Sequence, residues 1–99
     1  MIFVKVIKTY RDVVAACDSE LLGKTFEEDK FQLDVKESFY KGEEKSEVEA
    51  IDLFRFMLAE DATFNIVGKK ATQAAIKAGI ISEESIGEIA GIPFALVLI

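Results

Sequence analysis

The last six residues of the chain, residues 94–99, carry no charge, and they limit the possible folds more than any other segment. The run Phe-Ala-Leu-Val-Leu-Ile favours a β-strand, and an apolar strand at an open sheet edge promotes aggregation. We therefore expect a strand that is central in its sheet, covered by other parts of the chain, or paired with another subunit. Pro93 lacks a backbone N–H and is expected at the start of this strand or on an edge. Residues 85–89, followed by the tight turn Ala90-Gly91, are expected to supply an antiparallel neighbour.

Three further segments have the pattern of strands. Residues 2–8 are mostly β-branched and apolar, and residues 13–17 are apolar on both faces, which is typical of a central strand. The short connection between these two segments predicts a hairpin. Residues 31–36 alternate between apolar and polar, which predicts a strand with one solvent-exposed face. The segment 24–31, which has acidic residues at positions 27–29, is interpreted as turns, and residues 37–45 are interpreted as a loop.

Two helices are predicted in the second half of the chain. Ser46 and Glu49 form a capping-box sequence, which predicts a helix that ends near Ala59. A second helix is predicted from Asp61 or Thr63 to residue 78, because Gly79 is a typical residue just after a helix. The predicted inner faces consist of two sets of residues: Ala50, Ile51, Phe54, Met57 and Leu58 in the first helix, and Phe64, Val67, Gly68, Ala71, Ala74, Ala75 and Ala78 in the second.

The predicted order β-β-turn-β-α-α-β-β indicates an α+β fold with a mainly antiparallel sheet and two helices packed on one face. The 99 residues suffice for one domain, residues 1–99. Asp18 is expected to cap a single helical turn that follows the second strand. Ten residues are predicted to be buried in the core: Phe3, Val4, Val14, Cys17, Phe54, Leu58, Val67, Ala71, Ala74 and Leu96.

Several classes of chemistry are disfavoured by the composition. The chain has no His, which removes His-dependent catalysis and His-ligated metal sites, and its single Cys cannot form an internal disulfide. Cys17 is interpreted as a small buried apolar residue, because the adjacent Asp18 would raise the pKa of a thiol. The acidic clusters at residues 27–29 and 43–44 lack the spacing of a calcium loop and are interpreted as solvated loops. The sequence thus predicts no enzyme activity, no cofactor and no metal.

Phosphate binding by a glycine-rich loop is also disfavoured. The step Gly68-Lys69 lacks an upstream Gly, and it falls within the predicted second helix with no strand before it. The chain shows neither a signal peptide nor an apolar run of the roughly 20 residues that a membrane helix requires. We therefore expect a cytoplasmic protein without a membrane partner.

Four segments resemble the signature segments of an archaeal family known as domain of unknown function 424. They are residues 16–24 (ACDSELLGK), 38–42 (SFYKG), 65–68 (NIVG) and 91–93 (GIP), and the resemblance covers essentially the whole chain. In that family a His often follows the Pro of the last segment, whereas Phe94 occupies this position here. The resemblance implies a small cytoplasmic archaeal protein with no established activity and a loose association with the translation machinery.

Two sets of residues are candidates for ligand or partner contact. Phe39 and Tyr40 form an aromatic pair beside Lys36 and Lys41, and aromatic side chains in such a setting can stack on bases. The alternative is that Phe39 packs in the core and Tyr40 covers its rim. Asn65, near the start of the predicted second helix, either contacts a ligand or partner or caps the preceding loop.

The second helix carries the candidate nucleic-acid site. No acidic residue occurs between Asp61 and Glu83, and this window contains three lysines within a chain of net charge −6. On a helical wheel these lysines share one face, opposite the small-residue face, with a glutamine between them. This basic face, which is suited to phosphate contacts, consists of Lys69, Lys70, Gln73 and Lys77. The alternative is a solvated charge mosaic, in which acidic residues of the first helix (Glu49, Asp52 or Glu60) pair with these lysines.

Three functions stay open from the sequence, and the third is an enzyme that uses only carboxylate and lysine side chains. The first is a non-enzymatic binding or interaction module that associates with RNA or a ribonucleoprotein. The second is a homo-oligomeric structural or regulatory protein that self-associates through its apolar C-terminal strand.

Overall fold

A computed structural model of the chain describes residues 1–98, and it has the predicted α+β class with a mainly antiparallel sheet. The elements in chain order are β1 (Ile2–Ile7), β2 (Val13–Asp18), β3 (Thr25–Glu28), β4 (Phe31–Asp34), α1 (Glu37–Tyr40), β5 (Glu43–Lys45), α2 (Glu47–Ala59), β6 (Thr63–Val67), α3 (Lys69–Ala78), β7 (Gly87–Ile89) and β8 (Ile92–Val97). Short 3-10 turns lie at Ser19–Leu21 and Glu83–Ser85.

Six of the strands form one sheet, in the order β5-β1-β2-β6-β8-β7. β1 and β2 form the predicted antiparallel hairpin, and β2 has strand partners on both sides, as expected for a central strand. β2 and β6 run parallel, whereas the other neighbouring pairs of this sheet are antiparallel. The parallel pair arises because a long connection, which includes α2, separates β2 from β6 and crosses from one end of the sheet to the other.

The prediction of one helix over residues 61–78 is wrong in its first part. Thr63–Val67 is β6, a central strand of the sheet, and α3 begins only at Lys69. Gly68 separates the two elements with a φ of 108°, a backbone conformation that no helix interior can contain. Strand pairing on both sides of β6 outweighed the helical spacing of its apolar residues.

Two loops in the prediction contain regular structure. β3 lies within the acidic segment 24–31 and pairs with β4 as a separate two-stranded sheet. The segment 37–45 contains α1 and β5, and β5 is held as an edge strand by β1. The predicted strand at residues 85–89 is shorter than expected, since a 3-10 turn occupies its first residue and β7 starts at Gly87.

The two longer helices pack on one face of the six-stranded sheet, as predicted. α2 starts with the expected capping box: the Ser46 side chain accepts from the Glu49 N–H, and the Glu49 side chain accepts from the Ser46 N–H. Phe54 of α2 meets Phe64 of β6 edge-on, with 6.0 Å between the ring centroids. The small residues of α3, including Ala71 and Ala74, allow this helix to lie close to the same cluster.

The opposite face of the sheet has a second, smaller core. The β3–β4 hairpin, α1 and the turn after β2 supply apolar side chains to a cluster around Ala15, Cys17, Val35, Tyr40 and Val67.

Seven of the ten predicted core residues are buried, two are exposed and one is half-buried. Leu58 is 36% exposed and does not belong to the main core cluster, and Leu96 is 56% exposed. The side chain of Leu96 points to the sheet face opposite the long helices, beside its partner Asn65, where the smaller cluster does not cover it. Phe3 is half-buried. The buried members of the predicted set are Val4, Val14, Cys17, Phe54, Val67, Ala71 and Ala74.

The C-terminal strand β8 has the expected strand partners, but the side chain of Leu96 lacks the cover that was expected over both faces. β8 pairs with β6 over Phe94–Val97 and with β7 over Ile92–Phe94, and Pro93 is its second residue. The prediction extended this strand to residue 99, which lies outside the described residues.

Among residues 1–98, none of the helices has the length and apolar character that crossing a membrane requires.

Candidate functional site

Asp18 connects the end of β2 to the start of α3. Its side chain is almost fully buried, and its Oδ1 and Oδ2 atoms accept hydrogen bonds from the backbone N–H groups of Ala71 (2.8 Å) and Lys70 (3.1 Å). Asp18 precedes the predicted turn at Ser19–Leu21 as its N-cap residue, but its side chain gives that turn no hydrogen bond, so the expected side-chain cap is absent. The parallel pairing of β2 with β6 is what brings the carboxylate to a helix 52 residues further along the chain.

Gly68 is required at the start of α3 by this arrangement. A Cβ atom on residue 68 would lie 2.4 Å from Cγ of Asp18, and the φ of 108° also disfavours any other residue. β6 precedes Gly68, so the expectation that this glycine lies inside a helix with no strand before it is wrong. The carboxylate of Asp18 nevertheless occupies the place where a phosphate would bind the first turn of α3.

The ionisation of Asp18 and Cys17 reflects their burial. Burial raises the pKa of Asp18, and the N–H groups of Lys70 and Ala71 oppose this rise. Burial, and then the negative charges of Asp18 and Glu20, raise the pKa of Cys17 to about 12. The Cys17 thiol is therefore neutral near pH 7 and lacks the thiolate that a nucleophile needs.

A pocket of about 210 Å³ lies beside the start of α3. Its apolar part is formed by Leu21, Ile92 and Pro93, and Lys69 and Lys70 lie at its border. Three of the four segments that carry the family resemblance line this pocket, which are residues 16–24, 65–68 and 91–93. The remaining lining residues are Asp18, Glu20 and Gly68.

The exposed face of α3 has the predicted composition and orientation. Lys69, Lys70, Gln73 and Lys77 are all exposed, whereas Ala71, Thr72, Ala74, Ala75 and Ala78 are buried. We call the four exposed residues the α3 basic face. From its first to its last lysine it extends about 12 Å along the helix axis, at 1.5 Å per residue.

Three charged side chains from other elements border the α3 basic face. The Nζ atom of Lys77 lies 2.9 Å from Oε1 of Glu47, and Nζ of Lys70 lies 4.0 Å from Oε1 of Glu20. The expectation that acidic side chains pair with these lysines is thus confirmed, but the two acidic partners are Glu47 and Glu20. The expected partners were Glu49, Asp52 or Glu60. Arg55 of α2 adds a cation, because its Nη2 donates to the carbonyl oxygen of Lys77 at 3.1 Å.

The other predicted contact residues lie on the opposite face of the sheet. Tyr40 and Asn65 line one pocket of about 200 Å³, together with Leu33, Ile66, Val67, Phe94, Ala95 and Leu96. Asn65 belongs to β6, so its predicted position near a helix start is wrong.

The aromatic pair on α1 packs against the smaller core, but with the two residues exchanged relative to the predicted core arrangement. Tyr40 is buried and Phe39 is half-buried, and their rings meet edge-on at 5.0 Å. Burial raises the pKa of Tyr40 to about 12.

Sequence reasoning placed the basic face correctly but missed the role of Asp18. A carboxylate at the end of a strand has no local signal for a contact with a helix residue 52 positions later. The alternation of Thr63–Val67 followed by glycine was the available sign of a strand at this position. Across residues 1–98, no three Asp, Glu or Cys side chains form a group that could hold a metal ion.

Comparisons with known proteins agree with this fold. A family model described as a protein of unknown function (DUF424) matches residues 7–99. A crystal structure of an uncharacterized conserved protein from Methanopyrus kandleri is similar with a TM-score of 0.88 and 26% sequence identity, covering 97% of this chain and 89% of that chain. The comparison with curated proteins finds no match.

Proposed function

Because the chain belongs to the DUF424 family, whose description names no activity, we propose a function from the geometry of the site. The protein is a non-enzymatic module that binds the phosphate backbone of RNA through the α3 basic face. The partner is a structured RNA or a ribonucleoprotein of the cytoplasm, such as a component of the translation machinery. The exposure of Lys69, Lys70 and Lys77 on one side of a helix whose other side is buried is the observation that carries this proposal.

The local charge favours phosphate over other ligands. The three lysines and Arg55 supply four positive charges, and Glu20 and Glu47 supply two negative ones, so the surface is positive within a chain of net charge −6. A positive face on an acidic protein attracts phosphates, while the rest of the surface opposes non-specific binding.

The two ion pairs do not block this face. Each involves side chains that are about half exposed, and the Lys70–Glu20 pair is at the outer limit of a salt bridge. Exposed pairs of this kind contribute roughly 0–1 kcal/mol, which is a small barrier to exchange of a carboxylate for a phosphate.

A non-enzymatic role is supported by how the reactive groups are used. The Cys17 thiol is buried and neutral, and both carboxylate oxygens of Asp18 accept backbone hydrogen bonds. These two groups serve packing and helix capping.

The test is RNA binding across a salt series. We expect the affinity of the wild type for a structured RNA to fall as salt increases, and the triple variant K69A/K70A/K77A to lower the salt slope by about one for each lysine removed. The matched control K8A/K24A/K30A changes the net charge equally at exposed positions outside α3 and is expected to retain the wild-type slope. Absence of binding by the wild type at low salt, or equal affinities and slopes for the two triple variants, would overturn the proposal.

A further inference from the structure

The outer edge of β8 lacks a strand partner over its second half. β7 pairs with β8 only as far as Phe94, which lies opposite Gly87, whereas β6 continues alongside as far as Val97. Within residues 1–98, no strand covers the side of Ala95–Val97 that faces away from β6. Beyond Phe94, the outer side of β8 therefore has no strand partner among the described residues.

The direction of the backbone groups along this edge follows from one hydrogen bond. The carbonyl oxygen of Pro93 accepts from the N–H of Gly68 at 2.8 Å, so the carbonyl group of Pro93 faces the β6 side of the strand. Because successive residues of a strand point their N–H and C=O groups to alternate sides, those of Leu96 face outward. In a strand extended past Val97 to Leu98, the same alternation directs the groups of Leu98 outward as well.

The side chains on this edge are apolar and exposed. Leu96 is 56% exposed and Leu98 is 72% exposed, and Leu96 shares a sheet face with its β6 partner Asn65. From Ile89 to the end of the sequence there is no charged residue, and this is the longest uncharged run of the chain. Proteins usually protect an open edge with charges, and this edge has none.

We propose that the outer edge of β8 binds a second copy of this chain, so that two six-stranded sheets join antiparallel across a two-fold axis near Val97. Leu96 then lies opposite Leu98 of the partner subunit, and Leu98 lies opposite Leu96 of the partner subunit. The outward N–H and C=O groups of both residues form four hydrogen bonds across the axis, and the leucine side chains meet on one face.

Two features favour a second copy over an unrelated strand. An antiparallel edge is complementary to itself, because the same spacing of donors and acceptors appears on both sides of a two-fold axis. Each chain has a net charge of −6, so two copies repel except where their contact surface is uncharged, and residues 89–98 provide such a surface.

The test is the mass of the protein in solution as a function of concentration. Sedimentation equilibrium of the wild type is expected to show a dimer, with twice the 11.0 kDa mass of the chain, that dissociates on dilution. L96K places a charge on the edge and is expected to weaken dimerisation at least tenfold. The matched control F56K introduces the same charge at an exposed aromatic of α2, which is 62% exposed, and should leave the dimer intact.

A second measurement identifies the surface even where L96K affects folding. Amide hydrogen exchange of the wild type is expected to show protection of the Leu96 N–H at concentrations that favour the dimer, and loss of that protection on dilution. A wild type that remains monomeric at millimolar concentration would overturn the proposal. Equal exchange rates of the Leu96 N–H at both concentrations would also overturn the proposal. This outcome includes the case in which the edge binds an unrelated strand and not a second copy of the chain.

Discussion

The Oδ1 atom of Asp18 accepts a hydrogen bond from the backbone N–H of Ala71 at 2.8 Å, across 53 residues of sequence. This contact fixes α3 to the end of β2, and α3 carries the basic face on its outer side. The orientation of the proposed RNA-binding surface therefore depends on a carboxylate that would not itself contact RNA, because the carboxylate is buried.

Replacement of Asp18 by alanine is expected to destabilise the fold. The D18A variant loses two hydrogen bonds from backbone N–H groups, one of them buried, to a charged acceptor, and we expect the free energy of unfolding to fall by about 2–4 kcal/mol. Urea denaturation measures this value. E20A, at an exposed residue beside the same pocket, is the control and should change it by less than about 0.5 kcal/mol. Equal stabilities of the two variants would contradict the capping role.

The pH dependence of stability is expected to show the raised pKa of Asp18. A carboxyl whose pKa is higher in the folded state than its ordinary value of 3.8 binds more protons when folded. Its contribution to stability is therefore greatest at low pH and falls as pH rises from about 3.8 through the folded-state pKa. The stability of the wild type minus that of D18N should decrease over this range and then level off. NMR titration of the Asp18 carboxyl checks the same point, and a pKa at or below 3.8 would contradict it.

Gly68 is expected to tolerate alanine poorly for two separate reasons. G68A strains the backbone at a φ of 108° and brings the new Cβ within 2.4 Å of Cγ of Asp18. We expect a loss of about 3 kcal/mol in the free energy of unfolding. Gly79 is the matched control, because its φ of 81° imposes similar backbone strain while a Cβ there would meet no atom within 4 Å. G79A should cost only about 1 kcal/mol.

The contribution of the steric clash can be separated with a double variant. In G68A/D18A the clashing carboxylate is absent, so the combined loss should be smaller than the sum of the two single losses. Additive losses would show that Asp18 and Gly68 act independently.

The sequence allowed some elements to be predicted because their signals are local. The capping box at Ser46 and Glu49 lies within four residues, and α2 begins where it predicts. The lysines of α3 were placed outward correctly, because Ala71 and Ala74 on the other side are small enough to pack.

The errors have a different origin. β6 was predicted as helix because its apolar spacing also fits a helix, and only the pairing with β2 and β8 makes it a strand. The contact of Asp18 with Ala71 depends on that pairing, so no local pattern contains it. Leu96 was predicted to be buried because it is apolar, but the smaller cluster does not cover its part of the sheet face, so its side chain is exposed.

The burial of Phe54 and the partial exposure of Leu58 in α2 can be tested through the free energy of unfolding of two alanine variants. Phe54 is fully buried against Phe64, so F54A should lower the free energy of unfolding by about 3–5 kcal/mol. Leu58 is 36% exposed, and L58A should cost about 1 kcal/mol or less. Thermal or urea denaturation gives both values. A larger loss for L58A than for F54A would mean that α2 is rotated about its axis from the orientation described above.

Removal of the two acidic side chains that border the α3 basic face is expected to strengthen RNA binding. Glu47 lies 2.9 Å from Lys77, and Glu20 lies 4.0 Å from Lys70, so each carboxylate competes with phosphate for a lysine. E20Q/E47Q keeps the side-chain size and removes both charges. If each exposed pair contributes roughly 0.5 kcal/mol, the affinity for a structured RNA should rise about three- to tenfold at low salt. The control E27Q/E44Q makes the same change in net charge on β3 and β5, outside α3, and should change the affinity less than twofold. An equal gain in both double variants would mean that net charge governs the binding, and no gain in either would mean that Lys70 and Lys77 do not contact the RNA.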